Sequence, residues 1–131
     1  MIVPIGQALL VVDGDVRRDL ASRAAAADDF GHIVHHMPEA VVRPGSDGDL
    51  ASVLRWAARN GRRVAPQGRR HSVFGRGQAA GGVAVDMRGR CAVHSVQRDW
   101  VVMDAGATWR QVLAATLPQG LAPATLRTTW T

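Results

Sequence analysis

A histidine at position 71 lies in a stretch, Gln67 to Gly82, that is dominated by glycine and arginine. The stretch reads QGRRHSVFGRGQAAGG and holds five glycines and three arginines. Glycines let successive backbone N–H groups approach a ligand closely, and such groups form an anion-binding nest. Guanidinium groups suit phosphate oxygens. The residue types are therefore compatible with a diphosphate site, and equally with a solvated loop whose glycines only make turns.

Better-known phosphate and metal motifs do not account for this loop. It lacks the G-K-[ST] of a P-loop. Its glycine spacing does not fit a dinucleotide-binding βαβ unit, and no helix pattern comes directly after it. The histidines at 32, 35 and 36 form a cluster, and Cys91-x-x-His94 has ligand-like spacing. Neither group is accompanied by a second pair of ligands at the sequence spacing of a known metal motif, so we expect no metal site.

Composition limits the classes of partner and compartment. The 131 residues carry a net charge of +5, and all sixteen basic residues are arginines. They are spread from Arg17 to Arg127 and form no stripe with interleaved aromatic residues, so we do not expect nucleic-acid binding. A single cysteine, Cys91, rules out an intrachain disulfide and favours a reducing compartment. The first apolar run is too short to span a membrane and lacks a basic leader, which predicts a cytoplasmic protein.

Before the loop, the pattern predicts two helices and two short strands. An alanine-rich helix is expected over residues 15–29, with Leu20, Ala24 and Ala27 on its apolar face. Residues 40–44 read as a strand that Pro44 ends. A second helix begins at the N-cap Ser46 and ends at Asn60-Gly61. Its predicted buried stripe consists of Leu50, Val53, Leu54 and Ala57. Residues 63–65 form a further strand, closed by Pro66.

After the loop, three β-type segments are expected at residues 82–87, 91–96 and 100–104. A last helix is expected over residues 108–117, with Trp109, Val112, Leu113 and Leu117 on one side. The order β-α-β-loop-β-β-β-α predicts an α+β fold in which short strands surround amphipathic helices.

Several motifs, in order, resemble one family of flavoproteins. Gly68-Arg-Arg-His-Ser72, then Gly81-Gly-Val-Ala-Val-Asp-Met87, then Asp104-Ala-Gly-Ala-Thr-Trp109 resemble the FAD-linked oxidases of the vanillyl-alcohol oxidase, or PCMH, type. Other motifs resemble cytokinin dehydrogenase more specifically: Asp29-Phe-Gly31, Pro38-Glu-Ala-Val-Val42, Ser46-x-x-Asp49-Leu50 and Gly120-Leu-Ala-Pro123. The resemblance covers residues 20–131. It implies an N-terminal extension with a helix at 1–36 and an incomplete PCMH-type FAD-binding domain at 37–131, truncated at its C-terminus.

The resemblance also implies roles for residues of the loop. His71 corresponds to the covalent anchor of FAD, bonded to the 8α carbon of the isoalloxazine, and Ser72 is its neighbour. The residues that would line the diphosphate and adenine side are Pro66, Gly68, Arg69 and Arg70. Arg76 stands where family members often have Gln.

Two residues depart from the family pattern R-G-x-G-H-S: Gln67 replaces Arg, and Arg70 replaces Gly. If position 70 needs a positive φ, Arg70 costs about 1 kcal/mol or more. Alternatively, its guanidinium binds the diphosphate directly. The residues alone leave both possibilities open.

The function implied is oxidation of the N6 side chain of isoprenoid adenines by hydride transfer to FAD. A carbohydrate or alcohol oxidase of the same fold, or a non-catalytic remnant that binds a nucleotide, are the alternatives. The expected partners are FAD and a small-molecule substrate, with neither nucleic acid nor membrane. In cytokinin dehydrogenases the Trp-Thr that matches Trp130-Thr131 precedes an Asp that accepts a substrate proton. We therefore assign no catalytic residue, and we expect the chain alone to be inactive and to bind FAD poorly.

Overall fold

The computed structural model of the protein describes residues 1–6 and 8–125. They form eight strands in three sheets, three α-helices and two 3₁₀ turns. The strands are β1 Ile2–Ile5, β2 Ala8–Val11, β3 Asp15–Arg17, β4 Ala40–Arg43, β5 Val64–Gln67, β6 Val83–Asp86, β7 Val93–Val96 and β8 Val101–Met103. The helices are α1 Leu20–Ala26, α2 Asp47–Arg59 and α3 Trp109–Thr116, and the 3₁₀ turns are Met87–Gly89 and Leu117–Gln119.

A four-stranded sheet in the order β3-β4-β6-β5 forms the centre of the fold. β4, β6 and β5 are parallel, whereas β3 runs antiparallel to β4. All four residues of β6 are buried, as are the first three of β4. Parallel strands covered on both faces require such continuous apolar runs. The carboxyl ends of the three parallel strands meet at one edge, and the glycine-rich loop leaves from that edge.

The sequence pattern predicted that Pro66 ends this strand. In the structure β5 continues through Pro66 to Gln67. Pro66 pairs with Val85, and Gln67 pairs with Asp86. β5 is the outermost strand of the sheet. A proline is tolerated on an edge strand because its missing N–H can face away from the ladder.

Helix α2 begins at the predicted N-cap: the Ser46 side chain accepts a hydrogen bond from the backbone N–H of Asp49. Its buried residues are Asp49, Val53, Trp56 and Ala57. The predicted stripe was therefore wrong at Leu54, which is 58% exposed. The large Trp56 indole packs in the same buried cluster as Ile5 and Leu10. The buried face of α2 therefore includes Trp56 rather than Leu54.

The N-terminal residues form a hairpin that the sequence analysis did not predict. β1 and β2 pair antiparallel, from Ile2 opposite Val11 to Ile5 opposite Ala8. Ile5 and Leu10 are each 1% exposed and belong to the main core cluster. The hairpin thus supplies part of the cover that α2 needs.

Helix α1 is shorter than predicted. Residues 15–17 form β3 instead, and the helix starts after Asp19, whose side chain accepts from the N–H of Ser22. Its buried residues near the C-terminus are Ala26 and Ala27, whereas Leu20 is 71% exposed and Ala24 is also exposed. The predicted face was wrong except at Ala27, because only the small side chains at the end of α1 approach β4.

The remaining elements are a β7–β8 hairpin and α3. The side chains of Thr108 and Gln111 form a capping box at the start of α3. Val112 and Thr116 are its buried residues, and the predicted apolar residue Leu117 is 59% exposed because it begins a 3₁₀ turn. The predicted α+β fold is confirmed, and the predicted order of elements is confirmed from residue 40 onward. The domain boundary after residue 36 stays a prediction. No helix among the described residues is long and apolar enough to cross a membrane.

Candidate functional site

The predicted site residues lie together at the carboxyl edge of the sheet. A cavity of about 290 Å³ is lined by six of them: Pro66, Gly68, Arg70, His71, Ser72 and Arg76. The seventh, Arg69, lines an adjoining open cavity of about 590 Å³ together with Arg70 and His71. The structure therefore brings all seven residues into one region, between the end of β5 and the end of α1.

Arg70 has a φ of 59°, which is the left-handed backbone conformation. This was one of the two alternatives considered for the position from its sequence. Such a conformation costs a non-glycine residue about 1 kcal/mol or more. The Arg70 guanidinium donates to the carbonyl of Ala25 in the last turn of α1. A cation is favourable at the carboxyl end of a helix, so this contact offsets part of the backbone strain.

Gln67 fixes the start of the loop to the same helix end. Its side chain is almost fully buried, and its Nε2 donates to the carbonyls of Ala26 and Gly77, at 2.7 Å each. Both departures from the family pattern, Gln67 and Arg70, thus donate to carbonyls at the end of α1. Sequence analysis noted the two substitutions but missed this shared contact, which joins residues more than forty positions apart.

Asp29 holds the middle of the loop from the other side and was not predicted to be a site residue. One carboxylate oxygen, Oδ2, accepts from the Ser72 hydroxyl and from the Gly75 N–H, both at 2.9 Å. The other, Oδ1, accepts from the Gly31 N–H at 3.1 Å. Burial disfavours the charged carboxylate, but the hydrogen bonds outweigh burial and hold the pKa of Asp29 below its ordinary value.

Phe30 and Gly31 make further contacts with the same loop. The Phe30 N–H donates to the Arg70 carbonyl at 3.0 Å. The Phe30 ring meets the His71 imidazole edge to face, with centroids 6.3 Å apart and planes at 72°. A Cβ on Gly31 would overlap the carbonyl oxygen of Val73 and come within 2.7 Å of its Cγ1. The tripeptide 29–31 therefore contacts the loop on both sides of His71.

The residues present fit the diphosphate end of a flavin nucleotide. Arg69 and Arg76 are both exposed to solvent, so their guanidinium groups are accessible to an anionic ligand. At Gly68 a Cβ would find its nearest neighbour 3.9 Å away, which leaves the backbone open to a ligand. Asp29, the buried carboxylate in this cavity wall, already accepts three hydrogen bonds.

A second polar cluster lies on the far side of Gln67. Asp86, at the end of β6, accepts from Arg43 and Arg88, each at 2.8 Å. Burial opposes its charge, but these guanidinium groups hold the pKa of Asp86 far below its ordinary value. A cavity of about 270 Å³ adjoins the cluster. Since both arginines are engaged by one carboxylate, the cluster ties β4 to the turn after β6.

Other residues with metal-ligand chemistry lie in two small groups. The Asp28 carboxylate lies 2.8 Å from His32 Nδ1 and 3.5 Å from His35 Nδ1, and His94 Nε2 lies 2.9 Å from Asp104. Within the described residues, no group of three or more His, Cys, Asp or Glu side chains is placed to hold a metal ion.

This geometry accompanies a match to a family model described as an FAD binding domain, which covers residues 38–128. The match spans more than half of the chain, so the chain belongs to this family of FAD-binding domains. Residues 29–31, which hold the loop, precede the matched range.

The chain is also similar to several named proteins. It is 40% identical to cytokinin dehydrogenase 7 of Oryza sativa over 122 residues, covering 87% of this chain and 23% of the relative. It is 42% identical to cytokinin dehydrogenase 1 of the same plant, with the same coverage, and 38% identical to an uncharacterized oxidoreductase of Rhodococcoides fascians over 102 residues. The chain spans about a quarter of the length of the curated relatives it matches.

The fold is similar to that of a solved structure. The structure of 6-hydroxy-D-nicotine oxidase from Arthrobacter nicotinovorans superimposes with a TM-score of 0.72 over 88% of this chain and 26% of that one, at 22% identity. The chain therefore has the PCMH-type fold, and its sequence is similar to the corresponding quarter of the cytokinin dehydrogenases. Trp130 and Thr131, which the sequence analysis placed next to a catalytic acid, lie outside the described residues.

Proposed function

We propose that the protein carrying this chain binds FAD covalently through His71 and oxidises the N6 side chain of isoprenoid adenines. The observation that supports this proposal is the placement of His71 in a cavity wall shared with Gly68, Ser72 and Arg76. The cytokinin dehydrogenase relatives favour this substrate class. We also propose a cytoplasmic location.

When bound, FAD supplies the two-electron acceptor for oxidation of a secondary amine to an imine, which water hydrolyses to an adenine and an aldehyde. Each residue of the loop has a part in holding that cofactor. Arg69 and Arg76 neutralise the diphosphate, and the open backbone at Gly68 lets it approach closely. Pro66 and Arg70 form the wall on the side of the sheet, with the Arg70 guanidinium supporting the wall through α1.

His71 supplies an imidazole nitrogen for the bond to the 8α carbon. Forming this bond would remove one hydrogen from the carbon and one from the imidazole. The two electrons and two protons would pass to dioxygen or another electron acceptor. A cofactor held in this way cannot be lost by dissociation.

The proposal is tested by His71→Ala in the full-length product of the reading frame that carries this chain. We expect the wild type to keep its flavin after denaturation and the variant to lose it, as measured by intact mass and in-gel fluorescence. His36→Ala, a change at an exposed histidine outside the loop, serves as the control. Flavin that stays with denatured His71→Ala protein would contradict the assignment.

Substrate class is tested with the same preparations. Dye-coupled oxidation of an isopentenyl adenine, compared with simple sugars and alcohols, separates the proposed reaction from other oxidases of this fold. Turnover of a sugar without turnover of the adenine would overturn the substrate. For the 131-residue chain alone we expect no turnover and weak FAD binding, because it spans only a quarter of its relatives.

A further inference from the structure

We propose that Asp29, Phe30 and Gly31 form a positioning platform that sets the His71 imidazole for attachment to the flavin. This inference rests on the proposed covalent function and names residues that act through His71 rather than on the cofactor. We call these three residues the 29–31 platform.

The platform fixes the loop immediately before and after His71. Before it, the Phe30 N–H donates to the Arg70 carbonyl. After it, Asp29 Oδ2 accepts from the Ser72 hydroxyl and the Gly75 N–H. With both flanking residues held, the backbone at His71 has little freedom to rotate. The Phe30 ring, at 72° to the imidazole, then restricts the side chain itself.

Charge and burial make Asp29 a firm anchor. It is 5% exposed, and its two oxygens are occupied by three donors from two segments of the chain. Hydrogen bonds to an ionised acceptor are roughly twice as strong as neutral ones. The loop therefore cannot leave Asp29 without exposing a buried charge.

Gly31 determines how closely the platform and loop approach. No side chain fits there, because a Cβ would overlap the Val73 carbonyl. Substitution must push residues 72–74 outward while every hydrogen-bonding side chain stays chemically intact. A displacement of about 1 Å in a reacting group lowers a rate by about 100-fold. Gly31→Ala is therefore a test of position alone.

The experiment measures the rate of covalent attachment in the full-length protein. Apo-protein is mixed with FAD, and covalent flavin is followed by intact mass after denaturation. We expect Gly31→Ala to slow attachment at least tenfold while total bound flavin changes little, and to lower the thermal midpoint because the Cβ overlaps the Val73 backbone. Gly48→Ala serves as the matched control, since a Cβ there meets its nearest neighbour at 3.4 Å in an α-helix. We expect this control to stay within twofold of the wild type.

Two further variants keep the test decisive if Gly31→Ala does not fold. Phe30→Leu removes the ring contact at a residue that is 67% exposed, and should slow attachment severalfold. Asp29→Asn replaces one acceptor oxygen by a donor and should slow it more. Asp19→Asn, at the other end of α1, controls for loss of a charge. Attachment at the wild-type rate in folded Gly31→Ala, or in both other variants, would overturn the platform.

Failure of the covalent function gives a different result. In that case the wild type itself releases its flavin on denaturation. The platform is then judged by hydrogen exchange of residues 68–75 without flavin. Faster exchange in Asp29→Asn and Gly31→Ala, but not in Asp19→Asn, would support it, and unchanged exchange would refute it.

Discussion

Two buried aspartates, Asp29 and Asp49, hold two regions of the molecule by similar contacts. Asp49 is 3% exposed and accepts from the backbone N–H groups of Asp13, Gly14 and Gly45, at 2.8 to 2.9 Å. It thereby joins the β2–β3 connection to the β4–α2 connection. Asp29 instead holds the glycine-rich loop. One carboxylate supports the scaffold, and the other supports the candidate site.

The surroundings of the two carboxylates differ. Asp49 stands at the start of α2, beside the main core cluster to which the hairpin and α2 both contribute. Asp29 lies beyond the end of α1, next to open cavities and exposed arginines. Losing the first should therefore loosen the whole fold, whereas losing the second should loosen the loop. Similar hydrogen bonds can therefore stabilise the whole fold at one aspartate and fix the position of a loop at another.

The largest expected effect is the loss of stability caused by Asp49→Ala. Three backbone donors would lose a charged acceptor, and we expect the free energy of unfolding to fall by about 3 kcal/mol or more. Denaturant unfolding of the 131-residue chain measures this change. Asp29→Ala should cost less than half as much, and a cost equal to that of Asp49→Ala would break the comparison.

Acid should release both contacts. The pKa of each carboxyl is lower in the folded chain than in the unfolded chain, because the hydrogen bonds outweigh burial. The stability that each contributes is present above the ordinary pKa of about 3.9 and is lost as pH falls through the folded value. The amide signals of Gly31 and Gly75 should titrate with Asp29, and those of Gly14 and Gly45 with Asp49.

Nuclear magnetic resonance of the four glycine amides between pH 6 and pH 2 checks this titration. Asp29→Asn should abolish the transition at Gly75 and leave that at Gly45 unchanged. Midpoints above about 3.9 would show that burial outweighs the hydrogen bonds.

The smallest effect is expected at Arg70, on the border between loop and helix. Arg70→Gly relieves the positive φ but removes the guanidinium contact with Ala25, so its net effect on stability should stay within about 1 kcal/mol. Arg70→Ala keeps the strain and loses the contact, so it should be less stable than Arg70→Gly. Thermal unfolding of the pair decides the order, and the reverse order would show that strain at this position is negligible.

The order of elements could be predicted from local patterns because each signal lies within a few residues. The Ser46 cap and the apolar runs of β4 and β6 are of this kind. The hairpin at residues 2–11 was missed because its strands lack the alternation of apolar and polar residues, although Gly6, with a φ of 61°, stands between them. The length of α1 was overestimated because pairing of β3 with β4 overrode helix propensity.

The candidate loop was predictable from its glycines and arginines, but its support was not. Asp29 reaches Ser72 and Gly75 across separations of 43 and 46 residues. Gln67 reaches Ala26 across 41. Such pairs leave no periodic trace in a single sequence. The positive φ at Arg70 was anticipated as one alternative only because the family pattern has glycine there.

Pro66 affects how the edge strand β5 can pair with a strand of a second molecule of this chain. Val83 donates to the Arg63 carbonyl, and the alternation of a parallel ladder then turns the nitrogen of Pro66 away from β6. That nitrogen carries no hydrogen, so the outer rim of the sheet has a gap in its row of donors. A strand from a second molecule could not complete its pairing along β5. Pro66, which lines the candidate cavity, therefore also disfavours edge-to-edge pairing along β5.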